Sequence, residues 1–329
     1  MDNNGVPINA HGGGILFQDG TYYWFGEHKV AGNAGNAAHV GVHCYSSTDL
    51  YNWKDEGIAL AVSNDPKSEI QGGCIIERPK VLFNAKTNKY VMWFHLELRG
   101  KGYSSARCGV AVSDAVQGPY TYSKSFRPDA GLWPMDVQES DKTGILARDF
   151  AGGQMARDMT LFQDDDGKAY LVCASEDNWT IHICELTDDY LDLTGKYSRA
   201  FVGAKFEAPT LFKYNKKYYF IGSGCSGWTP NAANSAMADA VTGPWTSLGN
   251  PCRGTEYQCK RTFDSQGTYI LPLAGKPGAF IFLADRWNPY NAIDGRYIWL
   301  PIAWEDGKPV IKWMPEWNLD VFNSSAASN

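Results

Sequence analysis

A pattern of two strand-like runs recurs five times along this chain and restricts the folds open to it. Each copy has a short polar opening, an apolar run, a turn rich in Gly, Asp, Asn or Lys, and an aromatic-rich alternating run. This order predicts two antiparallel strands joined by a hairpin. The copies begin at Asn9, Glu77, Ala156, Phe206 and Asp264 and read NAHGGGILFQDGTYYWFGE, ERPKVLFNAKTNKYVMWFHLE, ARDMTLFQDDDGKAYLVCASED, FEAPTLFKYNKKYYFIGSGCSGW and DSQGTYILPLAGKPGAFIFLADRW.

Further strand-like segments lie between the copies, so that each unit contains about four strands. Examples are VGVHCYSSTDLYNW, CGVAVSDAVQGPYTY and NSAMADAVTGPWTSL. Five units spaced by roughly 50 to 80 residues predict an all-β, five-bladed β-propeller. We expect one domain over residues 1–329, with 323–329 as a tail or linker remnant. A two-sheet sandwich is the alternative, but it would not account for five comparable hairpins.

Charge and hydropathy exclude several classes of partner. The net charge is −6 and Lys and Arg are not clustered, which argues against binding to nucleic acid or to anionic membrane surfaces. No apolar stretch reaches the roughly 20 residues that span a bilayer. The chain does not start with a basic segment followed by an apolar one, so either the protein is cytosolic or a signal peptide is absent from this sequence. We favour a secreted or periplasmic protein.

The eight cysteines show no spacing typical of a zinc site. Most lie inside apolar runs, where small buried thiols are common. Cys252 and Cys259 instead flank the polar loop PCRGTEYQC. They could close a disulfide in an oxidising compartment or remain thiols, and the sequence leaves both states open.

The first strand of each blade lines the central channel of a propeller, so the openings of the five copies should converge. Three carboxylates and an amide then meet in one cleft. Each carboxylate alone would be read as a surface ion pair or a turn cap, but like charges gathered in a concave site cost free energy unless chemistry requires them. Carboxylate pairs among Trp and Tyr suit sugar hydrolysis. The inner positions hold His11 and Gly12, Glu77 and Arg78, Arg157 and Asp158, Glu207 and Ala208, and Ser265 and Gln266.

These motifs, with ADRW and RYIWLPI towards the C-terminus, resemble glycoside hydrolase family 43, and within it the subgroup that contains exo-β-1,3-galactanases. The resemblance spans about Asn4 to Phe322. It implies a five-bladed propeller that hydrolyses with inversion, using a Glu as general acid, an Asp as general base and a second Asp that orients the acid. No cofactor is implied. Some members carry a calcium ion in the central channel, which the sequence does not indicate here.

Carried over onto this sequence, the resemblance makes Glu207 the general acid and Asp158 the orienting Asp. The motif AHGGG departs from the usual pattern, because it puts Gly12 where the family keeps its base. The subgroup shares this loss, which implies that Gln266, or otherwise Glu77, activates the water. A neutral amide is a poor base, so Gln266 would act as its imidic tautomer or only position the water.

Residues at the ends of the second strands are the candidates for binding sugar. The resemblance implies that some of them hold hydroxyl groups or stack on the ring. They are Glu27, Asn178, Trp228, Asp285, Arg286 and Trp287. His11 is either a further pocket residue or a hydrogen-bonded core residue.

The resemblance implies an enzyme that removes galactose from β-1,3-galactan, such as the backbone of arabinogalactan. Within the same family, an α-L-arabinofuranosidase or a β-D-galactofuranosidase is the alternative. A propeller that only binds carbohydrate is an alternative of another class, motivated by the missing base. The expected partner is an oligosaccharide or polysaccharide, and a detached carbohydrate-binding module beyond Phe322 remains open.

Overall fold

Five sheets, antiparallel except for one pair of strands in the fifth, make up the part of the molecule that the structure describes. The structure is a computed structural model that describes residues 1–323, so most of the predicted tail, 324–329, lies outside the described residues. The first three blades consist of β1 (His11–Gln18), β2 (Thr21–Lys29), β3 (His39–Ser47) and β4 (Lys54–Ala61); β5 (Ile75–Asn84), β6 (Lys89–Glu97), β7 (Arg107–Ser113) and β8 (Thr121–Phe126); and β9 (Met159–Gln163), β10 (Ala169–Ser175), β11 (Thr180–Leu186) and β12 (Leu193–Ala200).

The last two blades follow the same order, and the fifth gains an outer strand, because β17 pairs in parallel with β21. The few helices are short. These elements are β13 (Phe206–Tyr214), β14 (Lys217–Gly224), β15 (Ala233–Ala238) and β16 (Thr246–Gly249); β17 (Cys252–Arg253), β18 (Gln266–Pro272), β19 (Phe280–Arg286), β20 (Arg296–Glu305) and β21 (Lys308–Lys312); and the helices α1 (Gly144–Arg148) and α2 (Glu256–Lys260), with 3₁₀ turns at Gly35–Ala37, Glu139–Asp141, Ala292–Asp294 and Leu319–Phe322.

The apolar core is divided into five clusters, one between each pair of neighbouring blades. Between blades 1 and 2, for example, Phe25 and Val42 pack with Met92 and Phe94. Each sheet is therefore buried on both faces, which is why β6 has an unbroken apolar run instead of the alternation of a half-exposed strand. The five clusters close a ring, and the predicted five-bladed propeller is confirmed.

Blades 5 and 1 share no strand, and hydrogen bonds from side chains to backbone groups join them and close the ring. The Thr268 hydroxyl donates to the Gly13 carbonyl oxygen at 3.0 Å. The Tyr297 hydroxyl accepts from the Ala10 amide at 2.9 Å and lies 3.1 Å from the Ile8 carbonyl oxygen, to which it donates. These bonds satisfy backbone groups at the start of the chain that no neighbouring strand pairs.

The inner strands are bulged at the level of the predicted site. The pairing register with the second strand breaks just past His11, Glu77, Glu207 and Gly267. A bulge turns a strand locally and redirects its side chains. In three blades the residue at this level has a left-handed backbone, with φ of 60° at Gly12, 55° at Arg78 and 49° at Ala208.

All eight cysteines lie within residues 1–323 and all are free thiols. The Cys259 thiol donates to the carbonyl oxygen of Cys252, with sulfur and oxygen 3.4 Å apart. The two residues that could have formed a disulfide are thus neighbours without a covalent bond. Within the described part of the chain, no helix has the length and apolar content needed to cross a bilayer.

Gly13 gives a direct test of how tightly β1 and β2 approach. A Cβ at this position would lie 1.7 Å from the carbonyl oxygen of Phe25, a backbone atom that cannot move aside. We expect Gly13→Ala to destabilise the protein by about 3 kcal/mol, measured by urea denaturation. Gly152→Ala is the matched control, since nothing lies within 4 Å of its Cβ position. Equal stability of the two variants would contradict the packing described here.

Candidate active site

A cavity of about 470 Å³ opens where the inner strands begin, and all five blades contribute to its wall. Titratable and aromatic side chains dominate this wall. It includes Glu27 from blade 1, Glu77 and Arg78 from blade 2, Arg157, Asp158 and Asn178 from blade 3, Glu207 and Trp228 from blade 4, and Gln266 and Trp287 from blade 5. The four predicted catalytic residues therefore share one cavity.

Glu207 has the electrostatics of a carboxyl group that can carry a proton near neutral pH. Burial and then the neighbouring Asp158 carboxylate raise its pKa to about 7. The Asn178 side-chain amide donates to Glu207 Oε1 at 2.8 Å, which orients the carboxyl group. A group with this pKa can donate a proton and take one up again at the same pH.

Asp158 lies just before β9 and is fixed by two donors to the same oxygen. Its Oδ2 accepts from Arg78 Nη2 at 2.9 Å and from the backbone amide of Ala208 at 3.0 Å. The second bond ties Asp158 to the residue that follows Glu207. Asp158 therefore orients the strand segment that carries Glu207 and also supplies the charge that raises its pKa.

Gln266 is held by groups that fix which way its amide faces. Its Oε1 accepts from Arg78 Nη2 at 2.6 Å and from Trp287 Nε1 at 3.0 Å, while its Nε2 donates to the Ser223 hydroxyl at 3.0 Å. Arg and Trp side chains can only donate, so the oxygen of the amide must face them. The nitrogen is then the atom on the Ser223 side.

Glu77 lies between two donors from its own blade. His95 Nδ1 is 2.7 Å from Glu77 Oε2, and the Tyr103 hydroxyl donates to Oε1 at 2.8 Å. Burial alone would raise the pKa of Glu77, but the His95 and Tyr103 hydrogen bonds and the charge of His95 lower it to about 2. The other imidazole nitrogen of His95 is 2.9 Å from Glu97. Although burial opposes protonation, both carboxylates together raise the pKa of His95 to about 9.

Glu27 explains the glycine at the position of the usual base. A Cβ on Gly12 would lie 2.3 Å from Glu27 Oε1. That carboxylate is held by Lys29, whose Nζ is 2.5 Å from Oε2, and by the backbone amide of Arg78 at 3.1 Å from Oε1. Burial raises the pKa of Glu27 against the pull of Lys29. The side chain of Glu27 thus fills the space into which residue 12 would project.

Four of the seven predicted sugar-binding residues line the cavity, namely Glu27, Asn178, Trp228 and Trp287. Trp287 forms part of the floor, with the Arg78 guanidinium 5.4 Å from its ring centroid. Trp228 lies at the mouth, 6.1 Å from Trp287 between centroids and 40% exposed.

The other three predicted sugar-binding residues, His11, Asp285 and Arg286, do not line this cavity. Asp285 instead lines a small adjoining pocket together with Trp228, Gln266 and Trp287. His11 is buried, stacks on Tyr297 and lies 3.4 Å from Asp285 Oδ1. Asp285 accepts from the Gly12 amide at 3.1 Å. The side chain of Arg286 bonds the Phe263 carbonyl oxygen instead.

Several residues of the wall escaped the sequence analysis as site residues. Arg78 could have been found, since it is in an inner position next to Glu77, but the sequence analysis assigns it no role. Asn36 and Tyr103 come from connections outside the repeated pattern, and their bond to each other, 2.7 Å from amide to hydroxyl, has no signal in the sequence.

The chemistry of the donor groups does not favour a metal ion at this site. Glu77, His95 and Asp158 offer atoms within 4.8 Å of one another. However, both nitrogens of His95 face carboxylates and its pKa is about 9, so it holds a proton where a metal needs a lone pair. The side chain of Lys80 already lies between the inner strands, where its Nζ donates to the carbonyl oxygens of Gly12 at 2.9 Å and of Arg78 at 3.3 Å. Burial and then the neighbouring Arg78 guanidinium lower the pKa of Lys80 to about 7.

A five-bladed propeller with an acid, an orienting carboxylate and an aromatic floor defines a glycosidase-type site, and comparison with known proteins specifies it. The chain belongs to glycosyl hydrolases family 43, whose model matches residues 10–309. It is therefore a glycoside hydrolase.

Solved structures of the same family are similar over nearly the whole chain. A family 43 β-1,3-galactosidase solved with galactodeoxynojirimycin is 50% identical, covers 97% of this chain and 98% of its own, and superposes with a TM-score of 0.93. An exo-β-1,3-galactanase from Clostridium thermocellum is 36% identical, with 95% of this chain and 63% of that chain covered and a TM-score of 0.80.

Curated relatives are more distant. A β-D-galactofuranosidase from Aspergillus niger is 32% identical over 242 residues, which cover 69% of this chain, and an endo-α-(1→5)-L-arabinanase from Bacillus subtilis is 25% identical over 296 residues, 83% of this chain. The matched parts span 64% and 54% of the lengths of these two proteins.

Restoring a carboxylate at residue 12 should not restore the usual family arrangement. We expect Gly12→Asp to lower both stability and activity, because its Cβ would meet Glu27 Oε1 and its charge would face a buried carboxylate. Gly144→Asp is the control for backbone strain, since Gly144 has a φ of 59° against 60° at Gly12 but an open Cβ position. Thermal unfolding and sugar-release assays measure both variants. A Gly12→Asp enzyme as active as the parent would refute this account.

Proposed function

We propose that this protein is an inverting, exo-acting glycoside hydrolase that releases galactose from the end of β-1,3-galactan. The observation that carries the proposal is the pairing of Glu207, with a pKa of about 7, with an Asp158 carboxylate fixed by Arg78 and the Ala208 amide. The choice of sugar is supported by the similarity, at 50% identity, to a β-1,3-galactosidase.

In the proposed reaction, Glu207 protonates the oxygen that leaves with the rest of the chain. Asp158 keeps the Glu207 segment in place and keeps its proton affinity high. The aromatic floor formed by Trp287 carries the sugar ring at the cleaved end, while Glu27 and Asn178 supply polar contacts. Water attacks the anomeric carbon from the face opposite the leaving group, which inverts the configuration.

The contacts of Gln266 fit a residue that positions this water. Its oxygen already accepts two hydrogen bonds, and its nitrogen donates to Ser223. The imidic tautomer would place a hydrogen on an oxygen that faces two donors. Glu77 is a carboxylate of the cavity that stays ionised over the working range, since its pKa is about 2. We therefore propose that Gln266 orients the water and that Glu77 accepts the proton that the water loses as its oxygen bonds to the anomeric carbon.

A β-D-galactofuranosidase is the second candidate, favoured by the relative from Aspergillus niger. A propeller that only binds carbohydrate would have no need for Glu207 at a raised pKa. We also propose action outside the cytoplasm, where a polysaccharide substrate is accessible. A separate carbohydrate-binding module stays a prediction.

Product analysis tests the proposed function. The protein should release galactose alone from β-1,3-galactan, and NMR should show the α-anomer first. Glu207→Gln should reduce this activity by about 10² to 10⁴ while β-galactosyl fluoride, whose leaving group needs little protonation, is hydrolysed with a smaller loss. Initial release of β-galactose would refute inversion, and release only from aryl galactofuranosides or arabinofuranosides would favour the alternative sugars.

The pH profile tests the role of Asp158. Because the acid must be protonated, kcat/KM on galactan should fall as the pH rises through about 7. Asp158→Asn removes a charge that raises the pKa of Glu207. As the pH rises, the remaining activity of this variant should therefore decline at a lower pH than that of the wild type. Asp294→Asn, which removes a rim carboxylate paired with Arg296, should leave the profile in place. An unshifted profile in Asp158→Asn would contradict the assignment.

A further inference from the structure

A second, much smaller cavity adjoins the large one at Gln266, and we call it the side pocket. Its volume is about 10 Å³, which is close to the smallest space that holds one water molecule. A buried water also needs roughly two to four polar partners. The polar and aromatic side chains around the side pocket include Ser223, Trp228, Asn231, Ser265, Gln266, Asp285 and Trp287.

Strand pairing brings the polar groups of blades 4 and 5 together at this pocket. Gln266 and Asp285 are direct partners across β18 and β19, so their side chains lie next to each other on one face of blade 5. Ser223 is the partner of Glu207 across β14 and β13 in blade 4. Gln266 Nε2 donates to the Ser223 hydroxyl at 3.0 Å. The side pocket therefore lies at the junction between the strands that carry Glu207 and Gln266.

Asp285 contributes a buried acceptor that has no donor. Its side chain is 1% exposed, and Oδ2 accepts from the Gly12 amide at 3.1 Å. Within residues 1–323, no hydrogen bond reaches Oδ1. His11 Nδ1 lies 3.4 Å from this oxygen, but it also makes no hydrogen bond there. A buried carboxylate oxygen without a donor costs free energy, so we expect a donor to approach Oδ1 from the side pocket.

Ser223 contributes a buried donor that has no acceptor. Its oxygen accepts from Gln266 Nε2, and its own hydrogen finds no acceptor among the described contacts. Two other polar side chains of the wall already bond elsewhere. The Ser265 hydroxyl donates to the Thr262 carbonyl oxygen at 2.5 Å, and the Asn231 amide bonds the backbone of Gly224. The free donor and the free acceptor thus belong to the wall of the same small pocket.

We propose that the side pocket binds one internal water molecule, which accepts a hydrogen bond from Ser223 and donates one to Asp285 Oδ1. The hydrogen bonds then run in one direction, from Gln266 Nε2 through Ser223 and the water to the carboxylate. This direction turns the Ser223 hydrogen away from Gln266, so Nε2 must donate and the amide oxygen stays towards Arg78 and Trp287. Asp285 is therefore a positioning residue for Gln266, and this role in catalysis rests on the proposed function.

A high-resolution crystal structure tests the water itself. We expect density for one water within about 3.2 Å of both Ser223 Oγ and Asp285 Oδ1, in the free enzyme and in crystals soaked with galactose. It should be present in both because the side pocket is distinct from the space that the sugar takes. A side pocket without such density would overturn the proposal.

Kinetics of a serine variant test the link to Gln266. We expect Ser223→Ala to lower kcat about tenfold with KM unchanged, and by the same factor on β-1,3-galactotriose and on β-galactosyl fluoride, because both substrates need the attacking water. Ser235→Ala is the matched control. It removes a buried hydroxyl of the same blade, which donates to the Gly249 carbonyl oxygen, and should leave kcat in place. A loss on galactotriose alone would contradict the proposal, since it would assign Ser223 to protonation of the leaving group.

A double variant tests whether Ser223 and Asp285 act through one water. Asp285→Asn replaces the carboxylate by an amide of similar shape. Because both single changes break the same link, the loss of kcat in the double variant Ser223→Ala with Asp285→Asn should be smaller than the product of the two single losses. Losses that multiply would exclude the link. A wild-type enzyme inactive on both galactosyl substrates would refute the proposed function instead, and the crystals would still decide whether the water is bound.

Discussion

The buried guanidinium of Arg78 is the interaction on which the site depends, because it joins blades that share no strand. It bonds Asp158 in blade 3 and Gln266 in blade 5, and its backbone amide bonds Glu27 in blade 1. A buried cation is tolerated only when it is well paired. The same pairing makes it possible to gather carboxylates in one cavity. Glu207 has no hydrogen bond to this guanidinium within the described contacts, and burial together with the Asp158 charge raises its pKa to about 7.

Three different residues share one backbone conformation at the level of the active site. Gly12, Arg78 and Ala208 occupy equivalent inner positions with nearly the same left-handed φ. Arg and Ala show that the conformation alone does not require glycine. At residue 12 the additional cause is Glu27, which takes the space of a side chain. The repeat therefore fixes the backbone, and contacts between blades decide which residue fits each copy.

The sequence predicted the site residues whose positions are set by the repeated strands. It missed site residues that lie in the connections between those strands. Glu77, Asp158, Glu207 and Gln266 were found together because a shared register brings the same position of each copy to one cavity. Arg286 lies outside the cavity because it is the last residue of β19, where its side chain turns to the Phe263 carbonyl oxygen. Asn36 and Tyr103 belong to connections of irregular sequence, so only the three-dimensional arrangement reveals them.

Neighbouring atoms explain why glycines occupy the motif AHGGG, because they fill the space that side chains would need. Glu27, from the second strand of the same blade, places a carboxylate where the first strand has none, and Lys29 together with the Arg78 amide keeps that carboxylate in position. The glycine at residue 12 and the buried Glu at residue 27 are thus one coupled arrangement. A carboxylate added at residue 12 alone would put two carboxylates in one space, so it would fit only together with a smaller or neutral residue at position 27.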